Sequence, residues 1–314
     1  MAHQFTPIAL RYPSPLALFD MPYVIGPLGG SLETPQGFAE ECQSASWFTH
    51  LRGLDSLRLR HDPVLKHTYA NAAAVIGVAP YVGEQLQPAG IKRFDVMSEL
   101  GIDALAARYK APPGDGPLEL LHVGRGVRTK GLRDVVRAVA QLPEQVNVHL
   151  HSAGQGEEIA LCQQEAARLG VDDRITFHGQ IPREAVEALY ASADVFVFPS
   201  FREPSGSVVF EALRNGLPII TTDRGGPGHV VDDSCGIRLA TRSPDQLARD
   251  LADAITRLSS DRKYLQDLAA GSLHRIASIG LWKNKMDWLM ALYADISPQE
   301  NTTQLRQKEV VQHA

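Results

Sequence analysis

Cysteine is scarce in this 314-residue sequence, where Cys42, Cys162 and Cys235 are the only thiols. They are far apart and odd in number, which suits reduced thiols in a cytoplasm better than a disulfide framework, and none pairs into a metal-binding spacing. A surplus of one charge is missing too. With 31 Lys+Arg against 36 Asp+Glu the net charge is -5, which leaves no broad electrostatic footprint for nucleic acid. Any anionic ligand must be held locally. No run approaches the ~18 apolar residues of a membrane span, and the opening MAHQFTPIAL lacks the basic and apolar regions of a secretory signal. The expectation is a protein that stays inside the cell, so the sequon-like Asn301-Thr302-Thr303 reads as chance.

What is present is an ordinary globular composition, 44% hydrophobic and 21% charged, at a length that suits about two domains. The clearest break is Ala111-Pro112-Pro113-Gly114-Asp115-Gly116-Pro117, which can continue neither helix nor strand. Beyond it, short apolar runs alternate with helical stretches. Strands are expected at 118–123, 146–151, 174–177, 194–198 and 218–222, and helices at 132–142, 157–169, 183–192 and 207–215. That alternation predicts a doubly wound α/β domain on a parallel sheet. Further helices are expected at 244–258, 262–272 and 281–293, the last apolar enough to dock, with a frayed polar tail over 298–314. Before the break only 22–26 and 73–79 read as buried strands, with helical stretches around 39–60 and 82–87. Two strands are too few for an independent α/β core.

In doubly wound sheets ligands sit at the carboxyl ends of the strands, so the strand-to-helix loops at 124–131, 152–156, 179–182, 199–206 and 223–230 carry the interest. The first reads Gly124-Arg125-Gly126-Val127-Arg128-Thr129-Lys130-Gly131. Its glycines permit close backbone approach, and Arg125 and Lys130 could neutralise phosphate oxygens from two sides. It is neither a P-loop nor G-x-G-x-x-G, and taken alone it reads better as surface basic residues in a turn. The fourth loop is sharper. Ser205 and Gly206 open a helix whose free amides and positive dipole suit an anion. Glu203 on the loop and Glu211 about one turn into the helix bracket that position, several ångströms apart at ~1.5 Å rise per residue. Singly, Glu211 could serve only its own helix and Glu203 could be a solvated loop carboxylate; flanking a Ser-Gly helix start, they favour a binding role.

The run Phe196-Val197-Phe198-Pro199-Ser200-Phe201-Arg202-Glu203-Pro204-Ser205-Gly206-Ser207-Val208-Val209-Phe210-Glu211 continues through Gly216 and Pro218, and it resembles the E-x7-E signature of retaining GT-B glycosyltransferases of the family 4, "glycosyl transferases group 1" type. Gly124-Arg125, Lys130-Gly131, Ser152-Ala153-Gly154-Gln155-Gly156, Phe177-His178-Gly179, Asp194 and Gly225-Gly226-Pro227 follow that family's order, and the resemblance covers about 118–293. It implies that Arg125, Lys130 and Glu203 are the catalytic residues: the two cations would hold the diphosphate of a nucleotide sugar in place of a metal, and Glu203 the donor sugar's hydroxyls. Glu211 would take the ribose. Gly124, the amides around Ser205, Gly206, Ser207 and Val208, and the 177–180 stretch with His178 and Gly179 would complete the phosphate and base sites. The implied donor is UDP- or GDP-linked, with no separate cofactor and no metal, and the two glutamates are not a glycosidase acid and nucleophile.

The N-terminal part, His3-Gln4 through Arg11-Tyr12-Pro13 and Gly26-Pro27-Leu28-Gly29-Gly30, resembles the late part of the family's acceptor domain. Gly29 and Gly30 are expected to approach the sugar or acceptor, and His3 either to do the same or to be solvated. In the family that domain begins with several βα units and a Gly-rich loop, so the resemblance implies a truncated N-terminal domain, lacking its first part. The expected division is a partial acceptor-side domain over 1–112, a complete Rossmann-like donor domain over 113–280, a helix over 281–297 crossing back, and a tail over 298–314. The expected function is retaining, metal-independent transfer of a sugar to a glycan or lipid-linked acceptor. Two alternatives stand beside it: a catalytically impaired nucleotide-sugar-binding remnant that needs a partner or a missing N-terminal segment, and a related epimerase, which the E-x7-E loop disfavours. His149 and His151 alternate on one strand face but read as core or cleft-edge histidines rather than a metal pair. His50, His61 and His67 among Arg52, Arg58, Arg60 and Lys66 suggest a weakly basic patch for peripheral contact with the inner face of the cytoplasmic membrane; Asp55 and Asp62 dilute it toward an ordinary solvated helix face. Oligomeric state is left open.

Overall fold

The computed structural model describes residues 1–42, 54–105 and 116–297. Most of the break at 111–117, the tail at 298–314, His50, Arg52 and the middle of the expected 39–60 helix lie outside these residues. Within 1–105 four parallel strands, β1 (Ala2–Gln4), β2 (Tyr23–Leu28), β3 (Ala74–Gly77) and β4 (Phe94–Val96), form one sheet in that order. The expectation of two strands is corrected here. β2 and β3 are buried at every position and so show as apolar runs, whereas β1 and β4 are three residues each and half-buried, too short to carry a pattern. Of the helical stretches expected around 39–60, the described residues hold 3-10 turns at Gln36–Phe38 and Glu40–Cys42, and α1 over Leu54–His61. α2 (Pro63–Asn71) starts on Asp62, whose carboxylate accepts from the Val64 and Leu65 amides, with proline at the first helical position; both features favour a helix start. α3 (Tyr81–Leu86) completes this part.

Residues 116–297 build a six-stranded parallel sheet from β5 (Leu118–Val123), β6 (Val148–Ala153), β7 (Ile175–Gly179), β8 (Val195–Phe198), β9 (Ile219–Thr222) and β10 (Gly236–Leu239). Their order is β10-β9-β8-β5-β6-β7. The chain starts in the middle, builds β6 and β7 to one side, then returns to lay β8, β9 and β10 on the other. The reversal between β5 and β8 opens a crevice at their carboxyl ends. Side chains alternate across the sheet with the two-residue strand period. Val195 and Val197 face Val135, Val139 and Leu251, while Phe196 and Phe198 face Tyr190, Val209 and Leu213. The covering helices are α4 (Leu132–Val139), α5 (Glu157–Leu169), α6 (Arg183–Ser192), α7 (Ser207–Arg214), α8 (Gly225–Val230), α9 (Pro244–Ser260) and α10 (Arg262–Ile279). α8 and β10 were not expected. A helix written Gly-Gly-Pro-Gly has almost no intrinsic propensity; tertiary contact holds it, beginning with the Gly226 amide on the Glu203 carbonyl at 3.0 Å.

The two sheets are joined by more than the connecting chain. α11 (Trp282–Ile296) lies on the N-terminal sheet, burying Leu289 and Leu292 against Val24, Ala74, Ile76 and Met97. Its Lys285 Nζ donates to the Ser98 and Leu100 carbonyls at 2.7 and 2.6 Å, and burial pushes that ammonium down to about 8. In the opposite direction Phe38 is buried in the core of the six-stranded sheet, with its ring centroid 4.5 Å from that of Phe201. Arg128 lies over both rings, donates to both oxygens of the fully buried Asp134 at 2.6 and 2.8 Å, and reaches Glu41 at 2.6 Å. Removing one side of a buried ion pair strands the other charge, at a cost of about 3–5 kcal/mol. Asp134→Ala is therefore expected to lower unfolding stability by that amount in urea titration, and Arg128→Met combined with Asp134→Leu to recover most of the loss.

Candidate functional site

The reversal of strand order brings the loops after β5 and β8 side by side. The Thr129 carbonyl accepts from the Ser200 hydroxyl at 2.9 Å and the Phe201 amide at 3.2 Å, which locks the turn Arg128–Lys130 against the 199–203 segment. A third loop supports the first from beneath. The Gly124 amide donates to Ala153 and the Gly126 amide to Gln155, at 3.0 and 2.8 Å. A Cβ at Gly154 would fall 1.8 Å from the Gly124 carbonyl oxygen and one at Gly156 would fall 2.2 Å from that of Gly126. Only glycine lets these backbones meet.

Lys130 is thereby held nearly buried, its ammonium 5.6 Å from the Phe198 ring centroid and paired with the Glu203 carboxylate. Glu203 is no solvated loop residue. Its other oxygen accepts from the amides of Ser205 and Gly206 at 3.3 and 3.2 Å, at the mouth of α7. Gly206 is in the left-handed region at φ 80°, which turns the chain into α7 and aims these amides at one point. An anion-binding corner results, made of one ammonium, two amides and a helix N-terminus, with a carboxylate of the same chain resting in it. The Ser205 hydroxyl reaches across to Glu99 of the N-terminal part. Ser207 and Val208 form the first turn of α7. Glu211 is half-buried on the same helix; burial raises its carboxyl above the ordinary value, opposed by a hydrogen bond from Tyr190.

Gly124, Arg125 and Gly179 line one cavity of about 260 Å³, together with Gln155, Gln180 and Val186. Arg125 is exposed at its edge. His178 is not among its lining residues. Its Nε2 faces His151 Nδ1 at 3.0 Å, and His151 Nε2 in turn meets Glu119 at 3.0 Å. Burial and the two neighbouring imidazoles hold His178 below its ordinary value. His149 bonds Thr176 Oγ1 at 2.8 Å, and among the described residues no group of three or more His, Cys, Asp or Glu is arranged to hold a metal ion.

On the N-terminal side Gly29 comes close to Pro204, and the Gly30 amide donates to the Tyr81 hydroxyl at 3.1 Å. The end of β2 thus faces the Glu203 loop. His3 is half-buried rather than solvated, with Nε2 2.9 Å from the Gly26 carbonyl and Nδ1 on the Tyr293 hydroxyl of α11. Its contacts lie there and not with the loop carrying Glu203. In the region of the expected basic patch, Arg58 pairs with Asp62 at 2.9 Å, and Asp55 pairs with Arg11 at 2.9 Å.

Sequence reasoning missed Arg128, Glu41, Asp134, Glu99 and Lys285. Arg128 sits between Arg125 and Lys130 and nothing in the local string separates a ligand-facing cation from a buried one. The others act across more than one element and leave no spacing signal.

The chain matches the family described as glycosyl transferases group 1 over residues 106–272. The lipopolysaccharide core biosynthesis glycosyltransferase LpsE of Rhizobium meliloti is 32% identical over 175 residues, covering 54% of this chain and 50% of that protein. A solved sucrose-phosphate synthase from Thermosynechococcus elongatus superposes with a TM-score of 0.63 at 26% identity, over 88% of this chain and 68% of that one. Anabaena HepE in complex with UDP superposes with a TM-score of 0.64 at 21% identity, over 87% and 72%. The two parallel sheets have the GT-B architecture of these structures. The chain spans about half the length of the curated relatives it matches, 42 to 51% for the first three. With the match extending over more than half of its residues, the chain belongs to the glycosyl transferases group 1 family.

Proposed function

We propose that this chain binds a nucleotide-diphosphate sugar, UDP- or GDP-linked, and transfers the sugar to a glycan or lipid-linked acceptor, with retention of configuration and without a metal. The donor lies on the 113–280 part and the acceptor between it and the 1–112 part. The observation that carries this reading is the convergence of Lys130, the Ser205 and Gly206 amides and the start of α7 on one anion-binding corner. Charge builds on the leaving diphosphate as the glycosidic bond breaks, and fixed positive groups aimed at it lower the barrier. Lys130 and the α7 amides fill that role from one side and Arg125 from the cavity edge. Glu211 takes the ribose hydroxyls. Glu203 leaves the corner when the diphosphate enters and is then free to accept from the sugar's hydroxyls. The UDP held by HepE, a protein of the same fold, supports a uridine donor. No helix among the described residues is long and apolar enough to cross a membrane.

Calorimetry with UDP and GDP tests the donor site. Lys130→Ala and Glu211→Ala each remove a charged hydrogen-bond partner worth about 1.5–3 kcal/mol, so each is expected to weaken nucleotide binding by roughly ten- to a hundredfold. Unchanged affinity in both would overturn the assignment. Glu203→Gln should behave oppositely: by clearing the carboxylate from the corner it leaves UDP affinity equal or higher, while turnover of the nucleotide sugar falls. Chelation with EDTA is expected to leave both binding and turnover unchanged, and a loss of either would contradict the metal-free reading. Nucleotide binding with no turnover under any acceptor would favour the alternative, a nucleotide-sugar-binding chain that needs a partner.

A further inference from the structure

Between the two sheets the chain crosses twice, and the crossings are bonded to each other. The Ile102 amide donates to the Gly280 carbonyl at 2.8 Å, and the Trp282 amide to that of Ile102 at 3.1 Å. Just before Ile102 the Ser98 hydroxyl accepts from the Leu100 amide at 3.1 Å and closes a turn, which Lys285 of α11 grips by the Ser98 and Leu100 carbonyls. A Cβ at Gly101 would fall 2.5 Å from the Trp282 ring, so the turn and α11 are in close contact. The Lys285 ammonium also lies 5.5 Å from the ring centroid of Phe210 on α7. The turn is thereby fixed by α11 and set beside the helix that opens at the anion-binding corner.

Between the two gripped carbonyls stands Glu99. One of its carboxylate oxygens accepts from the Ser205 hydroxyl, and the other is buried with no hydrogen-bond partner among the described residues. A buried polar atom left unpaired is uncommon and costly, so local stability does not explain a carboxylate at this position. What it does is hold Ser205, whose own amide points into the corner. In the structure Glu203 aims that amide and the one of Gly206. On the transferase reading above, Glu203 leaves as the diphosphate enters, and the 203–206 loop loses the acceptor that orients its donors. The bond from the Ser205 hydroxyl to Glu99 uses neither amide, so it persists through that exchange. We propose, resting on that reading, that Glu99 is a positioning residue of the donor site: from the N-terminal side it holds Ser205 and keeps the Ser205 and Gly206 amides aimed at the diphosphate once Glu203 has moved away.

The test separates the hydrogen bond from the charge. Glu99→Ala and Glu99→Gln both remove a negative charge beside an anion site, which by itself favours UDP, but only glutamine keeps an oxygen that accepts from Ser205. In calorimetric titration of the full chain, Glu99→Gln is expected to bind UDP as tightly as the unaltered chain or more tightly. Glu99→Ala is expected to bind it about tenfold more weakly than Glu99→Gln does, within the range of one charge-assisted hydrogen bond. Uridine, which lacks the diphosphate, is expected to bind both variants alike, which a general loss of structure would not allow. GDP and guanosine replace this pair if the unaltered chain prefers them. Adding Ser205→Ala, which leaves the backbone amide in place, should lower Glu99→Gln to the level of Glu99→Ala and leave Glu99→Ala where it is, because the two side chains act as one unit. Equal nucleotide affinities in the alanine and glutamine variants, a loss for the nucleoside as large as for the diphosphate, or a further loss when Ser205→Ala is added to Glu99→Ala would overturn the proposal with the donor site intact. If the unaltered chain binds neither UDP nor GDP, the transferase reading falls and the proposal with it.

Discussion

Arg128 carries a full charge beneath the surface, and much of the site depends on how that charge is satisfied. Asp134 at the start of α4 takes two of its donors, Glu41 of the 36–42 segment takes a third, and the packed rings of Phe38 and Phe201 lie together on one side of the guanidinium. The partners come from three stretches of chain: α4, the 36–42 segment and the loop after β8. One guanidinium thus ties the loop after β5 to its own helix, to the loop after β8, and to the segment that leaves the N-terminal sheet. A buried pair of this kind contributes little net stability against a well-packed apolar substitute. Its value lies in specificity, because a planar five-donor group is satisfied in only one arrangement of these segments.

That arrangement sets up the functional corner. Arg128 and Lys130 share one turn, so burying the first directs the second toward the crevice. There Lys130 meets the mouth of α7, and Glu203 completes the corner with a negative charge from the same chain. Charge-assisted hydrogen bonds to ammonium and amides are stronger than neutral ones, so the carboxylate keeps the donor groups oriented; in the proposed reaction the diphosphate displaces it. On the far side of Glu203 the environment inverts to one dominated by carboxylates. Two surroundings of opposite charge balance therefore meet at a single residue.

Much of this was legible in the residues. β5 to β9 are apolar runs separated by helices with clear stops, such as Gly170 and Gly216, so the doubly wound sheet could be read off directly. The Glu203 and Glu211 pair flanking Ser205-Gly206 marked the α7 mouth before any coordinates. Short elements were different. β1 and β4 have three residues each, and α8 has a composition that local propensity forbids; each exists because a neighbour supplies its hydrogen bonds. His3 and His178 illustrate a second limit. Both lie in strings that resemble binding segments, and the structure adds partners that the strings do not show: Gly26 and Tyr293 for His3, and His151 for the Nε2 of His178.

The sequence by itself determined the fold class, the order of the strands along the chain and which strand-to-helix loops matter, because these follow from local periodicity and from glycine and proline chemistry. The tertiary structure alone decided the strand order in space, that Arg128 pairs with Asp134 and Glu41, and that Lys130 pairs instead with Glu203 across 73 residues of chain. Periodicity acts over a few residues, whereas the burial of a charge is decided by everything that closes around it, and that is known only when distant segments meet.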